Sequence, residues 1–434
     1  MKILYIGDNR NRVNWGCRAT SKALKDILIN SQNEVVSTID GKETHTSFTR
    51  TLYSKKISVK WFKRFENRKH NLVFYPIYKA IVSQRIEKDF LTGNLEKSIE
   101  FFEKNYMYFP SLVKIYEDLS KSDAIVINGE GTMIFSTPAR RDTLFYLFML
   151  KLGQKLGKKT YLINAMISDC PKTGRNLQTV KTTLEIFAKA DAITLRDPLS
   201  FRILKEMDTE SCVKFEFIPD ALFSWRKYFE SGQFSPPVIG DSIIPWPEED
   251  QYFGKFDFSK PYICISGSSS AAWTPKEAVG GYIELVKKIK SLGYNVFLVP
   301  TCSGDKFLED VAEATKTPLL PVNMQILIGA SILANAEIFI SGRFHPSILA
   351  SLGGTPCIFM GSNSHKNKSL QEMLDYKEIV EFNAIPTASD IEKIFSFTER
   401  LLNNKEILSK ERNRIKSKVD ELSIKTRRIL EYIN

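Results

Sequence analysis

"EIFISGRFHPSILASLGGTPCIFMG", residues 337–361, decides the fold. An apolar, β-branched run ends at Gly342, a stretch with helical spacing opens near Pro346, and a second apolar run closes the unit. Strand–helix–strand units of this kind build a parallel sheet covered on both faces. Ligands of such sheets bind beyond the carboxyl ends of the strands. Here that end carries Arg343 and His345, in a chain with only 4 histidines. On an extended backbone the two project to one side and Phe344 to the other. Pro346 is then expected at the first helical position. His345 would sit at a helix N-terminus beside an arginine, where a bound anion has an imidazole at hand as proton donor or acceptor. A capping or core histidine is the plainer alternative.

The same rhythm runs through the rest of the chain. In the first half, strands are expected at "KILYIGD", "NEVVSTID", "DAIVINGEG", "KTYLINAMI", "DAITLRD" and within "VKFEFIPDALFSW". Helical spacing covers 18–28, 141–156 and 175–189. In the second half, "PYICISGS", "NVFLVPT", the opening unit and "EIVEF" alternate with helices near 275–291, between 305 and 335, and near 346–353. Residues 388–434 read as helical, with a solvated basic face at the tail. Residues 231–260 are rich in Pro, Gly and Ser and lack helical period, which marks a domain boundary. The expected fold is α/β: two doubly wound Rossmann-like domains, 1–236 and 237–434, with an interdomain cleft. Residues 41–118 break the rhythm and read as a basic, mostly helical insertion.

The bulk composition excludes several classes. The 434 residues are 43% hydrophobic and 26% charged, as in an ordinary globular protein able to bury a large core. No apolar run reaches membrane-spanning length. "MKILYIGDN" turns polar too early for a signal peptide. Six scattered cysteines show no metal-ligand spacing, so neither a metal site nor a disulfide framework is expected, and a reduced cytoplasmic setting fits. The formal charge is +11. Part of the excess lies in residues 55–70, where Trp61, Phe62 and Phe65 interleave with Lys and Arg. That segment suits either an anionic membrane surface or plain solvation. No nucleic-acid motif accompanies it.

The other strand ends supply further candidates. Asn14 and Gly16 follow the first strand and precede a helix, as cleft-mouth contacts or as turn residues. In "NGEGTM", Gly129 and Gly131 allow close backbone approach, and Glu130 is a carboxylate able to orient or deprotonate a hydroxyl. "TLRDPLS" offers Arg196, suited to a carboxylate or phosphate, or to pairing with Asp197. Asp220, in "IPDALF", reads as structural. Ser268 and Ser269 lie in a small-residue loop that could cradle an anion. "GSNSHKNKS" contributes Lys366, with His365 and Lys368 beside it.

Taken in order, the Asn-x-Gly stretch, "NGEGT", "LRDPLS" and Ser341-x-Arg343-x-His345 with Pro356 and a following lysine resemble the polysaccharide pyruvyl transferase family. The resemblance implies a GT-B-like fold with the donor in the cleft. It also implies transfer of pyruvate from phosphoenolpyruvate to sugar hydroxyls of a cell-surface polysaccharide or its lipid-linked precursor, with no other cofactor. Arg343, His345, Arg196 and Lys366 would form the donor site, with His345 or Glu130 as acid/base. Two other readings stand beside it: a GT-B glycosyltransferase using a nucleotide sugar, and a non-catalytic glycan-binding protein.

Overall fold

Burial on both faces sets the first strand of the computed structural model, which describes residues 1–29, 32–41, 49–52, 73, 76–77, 80, 86–229 and 256–433. In β1 (Lys2–Asp8), Ile3 and Tyr5 face one core while Leu4 and Ile6 face another, all with no exposure. A strand buried on both sides must be central, and β1 is. It is followed by α1 (Trp15–Ile29) and β2 (Glu34–Asp40). Two short strands, β3 (Thr49–Leu52) and β4 (Ile86–Asp89), pair antiparallel as a separate ribbon. Then come α2 (Leu95–Asn105), α3 (Pro110–Lys121), β5 (Ala124–Phe135), α4 (Arg141–Lys155), β6 (Lys159–Asp169), α5 (Leu177–Phe187), β7 (Ala192–Leu195), α6 (Pro198–Met207) and β8 (Phe215–Phe217). The first sheet is parallel throughout, in the order β2-β1-β5-β6-β7-β8.

The second half repeats the plan with β9 (Tyr262–Ser268), α7 (Pro275–Lys290), β10 (Asn295–Leu298), α8 (Leu308–Thr315), α9 (Ile326–Asn335), β11 (Ile338–Gly342), α10 (Phe344–Leu352), β12 (Cys357–Phe359) and α11 (Lys366–Met373). Its sheet is also parallel, in the order β10-β9-β11-β12. The chain closes with α12 (Ala388–Leu402), α13 (Lys405–Thr426) and α14 (Ile429–Ile433). Each sheet has one core against its own helices. The other faces share a single core with α1, α9, α10 and α13.

Several sequence expectations change here. The stretch 41–118 is not one insertion. From Phe90 onward it is the β2-to-β5 crossover, because Phe90, Leu95, Ile99, Phe102, Leu112 and Ile115 enter the core of the first sheet. Residues 55–70 and the boundary at 236/237 lie outside the described residues. "EIVEF" forms no strand; only a single bridge joins Met360 to Phe382. The C-terminal tail is more than a solvated helix: Ile415, Val419 and Leu422 of α13 fall on one stripe and are buried in the shared core. That stripe faces the 3-10 segment Ala221–Tyr228 of the first half, where Arg226 Nε donates to Asp420 Oδ1 at 2.6 Å. Among the described residues, no helix is long and apolar enough to cross a membrane.

Candidate active site

Each sheet reverses its order at one point, between β1 and β5 and between β9 and β11. The carboxyl ends at such points form crevices that bind ligands. The strand-end residues gather there, though not as an extended backbone would place them. Helix α10 begins at Phe344, so Arg343 is its N-cap and Pro346 lies two residues inside. Phe344 is buried in the shared core, and the side chains on either side of it diverge toward different carboxylates.

His345 turns to the first half. Its Nε2 lies 3.3 Å from Asp220 Oδ2 and 2.9 Å from Arg196 Nη1. Arg196 leaves β7 only 2% exposed, donates Nη1 to Asp220 Oδ2 at 3.0 Å, and lies over the Phe344 ring. A buried guanidinium needs such a partner. Asp220 has no exposure, and its Oδ1 accepts from Thr20 Oγ1 at 2.8 Å and from the Leu222 amide at 3.0 Å. Burial pushes the Asp220 carboxyl up, but His345 and Arg196 outweigh it and hold the group well below the usual carboxylate range. Gly16, in the first turn of α1, packs on the imidazole: a Cβ there would lie 2.4 Å from His345 Nδ1. The His345 side chain keeps 12% exposure, so the ring remains reachable.

Arg343 stays with the second half. It grips Asp305 Oδ1 through Nη2 at 2.5 Å and Nε at 3.2 Å, and Asp305 is wholly buried. The other Asp305 oxygen accepts from the Thr301 amide and hydroxyl. Lys366 opens α11 and donates to Asn363 Oδ1 at 2.8 Å. Burial, then Arg343 and Arg196, push its ammonium down to about 7. Lys366 therefore stands within electrostatic reach of both arginines, with the buried Asp220 paired to Arg196 and the buried Asp305 to Arg343.

The remaining candidates separate by role. Ser269 Oγ donates to Asn363 Oδ1 and accepts from the Asn363 amide, which ties the loop after β9 to the loop that holds Lys366. Ser268 is turned inward, donating to the Gly361 carbonyl at 2.5 Å. Asn14 caps α1 by accepting from the Cys17 amide at 3.1 Å. Strand β5 does not stop before "NGEGTM" but runs through it. Gly129 serves strand packing, since a Cβ there would strike Ala165, while Gly131 has Arg196 Nη2 as its nearest such neighbour, at 3.8 Å. Glu130 is not a free turn residue. It is 6% exposed, with φ +38°, and its Oε1 accepts from Asn9 Nδ2, Ser21 Oγ and Asn128 Nδ2. His365 bonds Asp197 at 3.2 Å, and Asp197 also accepts from Ser369 Oγ, so α6 and α11 are clamped across the cleft. Arg202 and Glu372 extend that clamp. Lys368 is exposed and reaches Glu381 only at 3.9 Å. Sequence reasoning set Asp220 aside and missed Asp305. The signal for Asp220 was its place at a strand end, the same signal that exposed Arg196.

Two parallel Rossmann-like sheets facing a cationic cleft define an enzyme of the GT-B fold. Similar solved structures include Anabaena Alr3699/HepE in complex with UDP (TM-score 0.55, 9% identity, covering 100% of this chain and 99% of that chain). UDP-GlcNAc 2-epimerase from Neisseria meningitidis bound to UDP-GlcNAc is another (TM-score 0.53, 13% identity, 97% and 98%). Trehalose-6-phosphate synthase OtsA is a third (TM-score 0.52, 11% identity, 99% and 97%). These likenesses are of fold. No curated protein matches the chain. The family model described as polysaccharide pyruvyl transferase matches residues 16–364. The chain belongs to the polysaccharide pyruvyl transferase family, and it is a transferase.

Proposed function

We propose that this transferase moves the pyruvyl group of phosphoenolpyruvate onto two hydroxyls of one sugar in a cell-surface polysaccharide or its lipid-linked precursor, closing a ketal. The observation that carries the reading is the convergence of Arg196, Arg343 and Lys366 beside His345. Phosphoenolpyruvate bears a carboxylate and a phosphate, and planar guanidinium forks with one ammonium suit that pair. His345 protonates the terminal carbon of the enol, and the adjacent carbon becomes electrophilic. A sugar hydroxyl adds there and returns its proton to the imidazole. Phosphate then leaves with the electrons of its C–O bond, and a second hydroxyl closes the ring. Of the two hydroxyl protons, one ends on the new methyl group and one on phosphate. The fixed cations stabilise charge on the departing phosphate.

Thermal-shift titration against phosphoenolpyruvate and a panel of nucleotide sugars tests the donor. Stabilisation by phosphoenolpyruvate is expected. Stabilisation by a nucleotide sugar alone would replace this reading with glycosyl transfer.

A further inference from the structure

We propose that Asp220 is a positioning residue for His345, that it holds the imidazole by Nε2, and that Nδ1 is the nitrogen that exchanges the proton with substrate. The proposal rests on the pyruvyl-transfer reading for its substrate, but its geometry is independent of it. The two oxygens of Asp220 have separate tasks. Oδ1 is anchored to the fold by Thr20 Oγ1 and the Leu222 amide. Oδ2 is aimed at Arg196 and His345.

Arg196 has no lone pair to offer, so a proton on Nε2 can go only to Asp220. A bare Nε2 instead accepts from Arg196 Nη1 at 2.9 Å. Only the first arrangement lets Nδ1 give and take a proton, because losing the Nδ1 proton with Nε2 bare would leave an imidazolate; Asp220 is the group that keeps the proton on Nε2. The opposite nitrogen, Nδ1, packs beside the Gly16 backbone, an approach that only a residue without a Cβ allows, and the side chain's remaining 12% exposure is its route to substrate.

The frame behind Asp220 is buried and satisfied. Asn164, with φ +59° on β6, donates Nδ2 to Thr20 Oγ1 at 2.9 Å and to Asn128 Oδ1 at 3.1 Å. Its Oδ1 accepts from the Ala221 amide, next to Asp220, at 3.0 Å. A left-handed non-glycine residue persists only where its surroundings over-determine it. Asn128 passes the connection on to Glu130 at 3.2 Å. The imidazole and the Glu130 carboxylate therefore stand on one hydrogen-bonded frame.

The test uses the full-length enzyme with ¹⁵N-labelled histidine, with and without phosphoenolpyruvate. In the wild type, the His345 ring is expected to show Nε2 held in one state and Nδ1 as the nitrogen that responds to the ligand. Asp220→Asn should erase that asymmetry while phosphoenolpyruvate binds at least as tightly by calorimetry, since a negative charge leaves the pocket. With any acceptor that supports wild-type turnover, Asp220→Asn should be slower by roughly 10²-fold at unchanged KM for phosphoenolpyruvate. If Asp220→Asn does not fold, Thr20→Val keeps the carboxylate but removes its Oδ1 donor and one acceptor of Asn164 Nδ2, and should give the same loss of asymmetry in weaker form. An unchanged His345 spectrum in the variant that folds would overturn the proposal. Failure of the wild type to bind phosphoenolpyruvate would instead overturn the donor assignment, and the spectrum would still report on Asp220.

Discussion

Lys366 gives the cleft a proton-linked affinity. Its ammonium is pushed down to about 7 by burial and by Arg343 and Arg196. A bound polyanion favours the charged form and raises that value, so the complex holds more protons than the free enzyme above neutrality. Phosphoenolpyruvate affinity should fall between pH 7 and pH 9, by about tenfold per unit at most. Calorimetry should show the slope in the wild type and a flat profile in Lys366→Arg. Arg343 carries a different consequence. Arg343→Ala leaves Asp305 buried and unpaired, and should cost about 3–5 kcal/mol of stability in urea titration, part of it recovered by adding Asp305→Asn. Loss of donor binding in Arg343→Ala alone therefore mixes two causes, and the double variant separates them. At Gly16, an added methyl meets the imidazole rather than a flexible tip. Gly16→Ala should slow turnover while phosphoenolpyruvate affinity holds, and equal turnover would place the ring elsewhere during the reaction. Arg196, Arg343, His345 and Lys366 were all legible in the sequence, because each follows an apolar run and strand ends are where such sheets bind. Asp305 was not, and Asp220, though visible at a strand end, could not be tied to its partners. A carboxylate that neutralises a distant arginine is set by tertiary contact, and neither local spacing nor composition encodes its partner.

At the scale of elements, the strands were legible because two-sided burial leaves near-continuous apolar runs. The crossover from Phe90 to Lys121 was not, because basic and aromatic residues on its outer face masked its apolar stripe. Helix α10 shows the limit of a local rule: Pro346 suits a first helical position, yet the helix starts earlier because burying Phe344 fixes the turn. Helix α13 shows the same for charge, since its many lysines and arginines surround a buried line of Leu408, Ile415, Val419 and Leu422. Ile415 has no exposure, and Ile415→Ala should destabilise the protein by about 2–5 kcal/mol in denaturant titration. A cost near zero would show that the tail does not stay docked in solution.

On the scale of the whole molecule, the shared core makes the two halves energetically one. Calorimetry should record a single unfolding transition with matching calorimetric and van't Hoff enthalpies. Two separated transitions would mean that 1–236 and 237–434 fold independently despite that core. The junction is set largely by α1, whose Trp15 amide bonds the Thr301 carbonyl and whose indole Nε1 donates to the Val322 carbonyl at 2.7 Å. The indole ring fills the space left by Gly329 of α9 and is fully shielded from water. Trp15 therefore works as an optical gauge of the hinge: any parting of the halves at this joint wets the ring, shifts its emission to longer wavelength and opens it to a soluble quencher. Trp273, half-exposed on the second half with Lys172 of the first half over its ring, is already open to quencher, so its replacement by phenylalanine clears its background from the Trp15 signal.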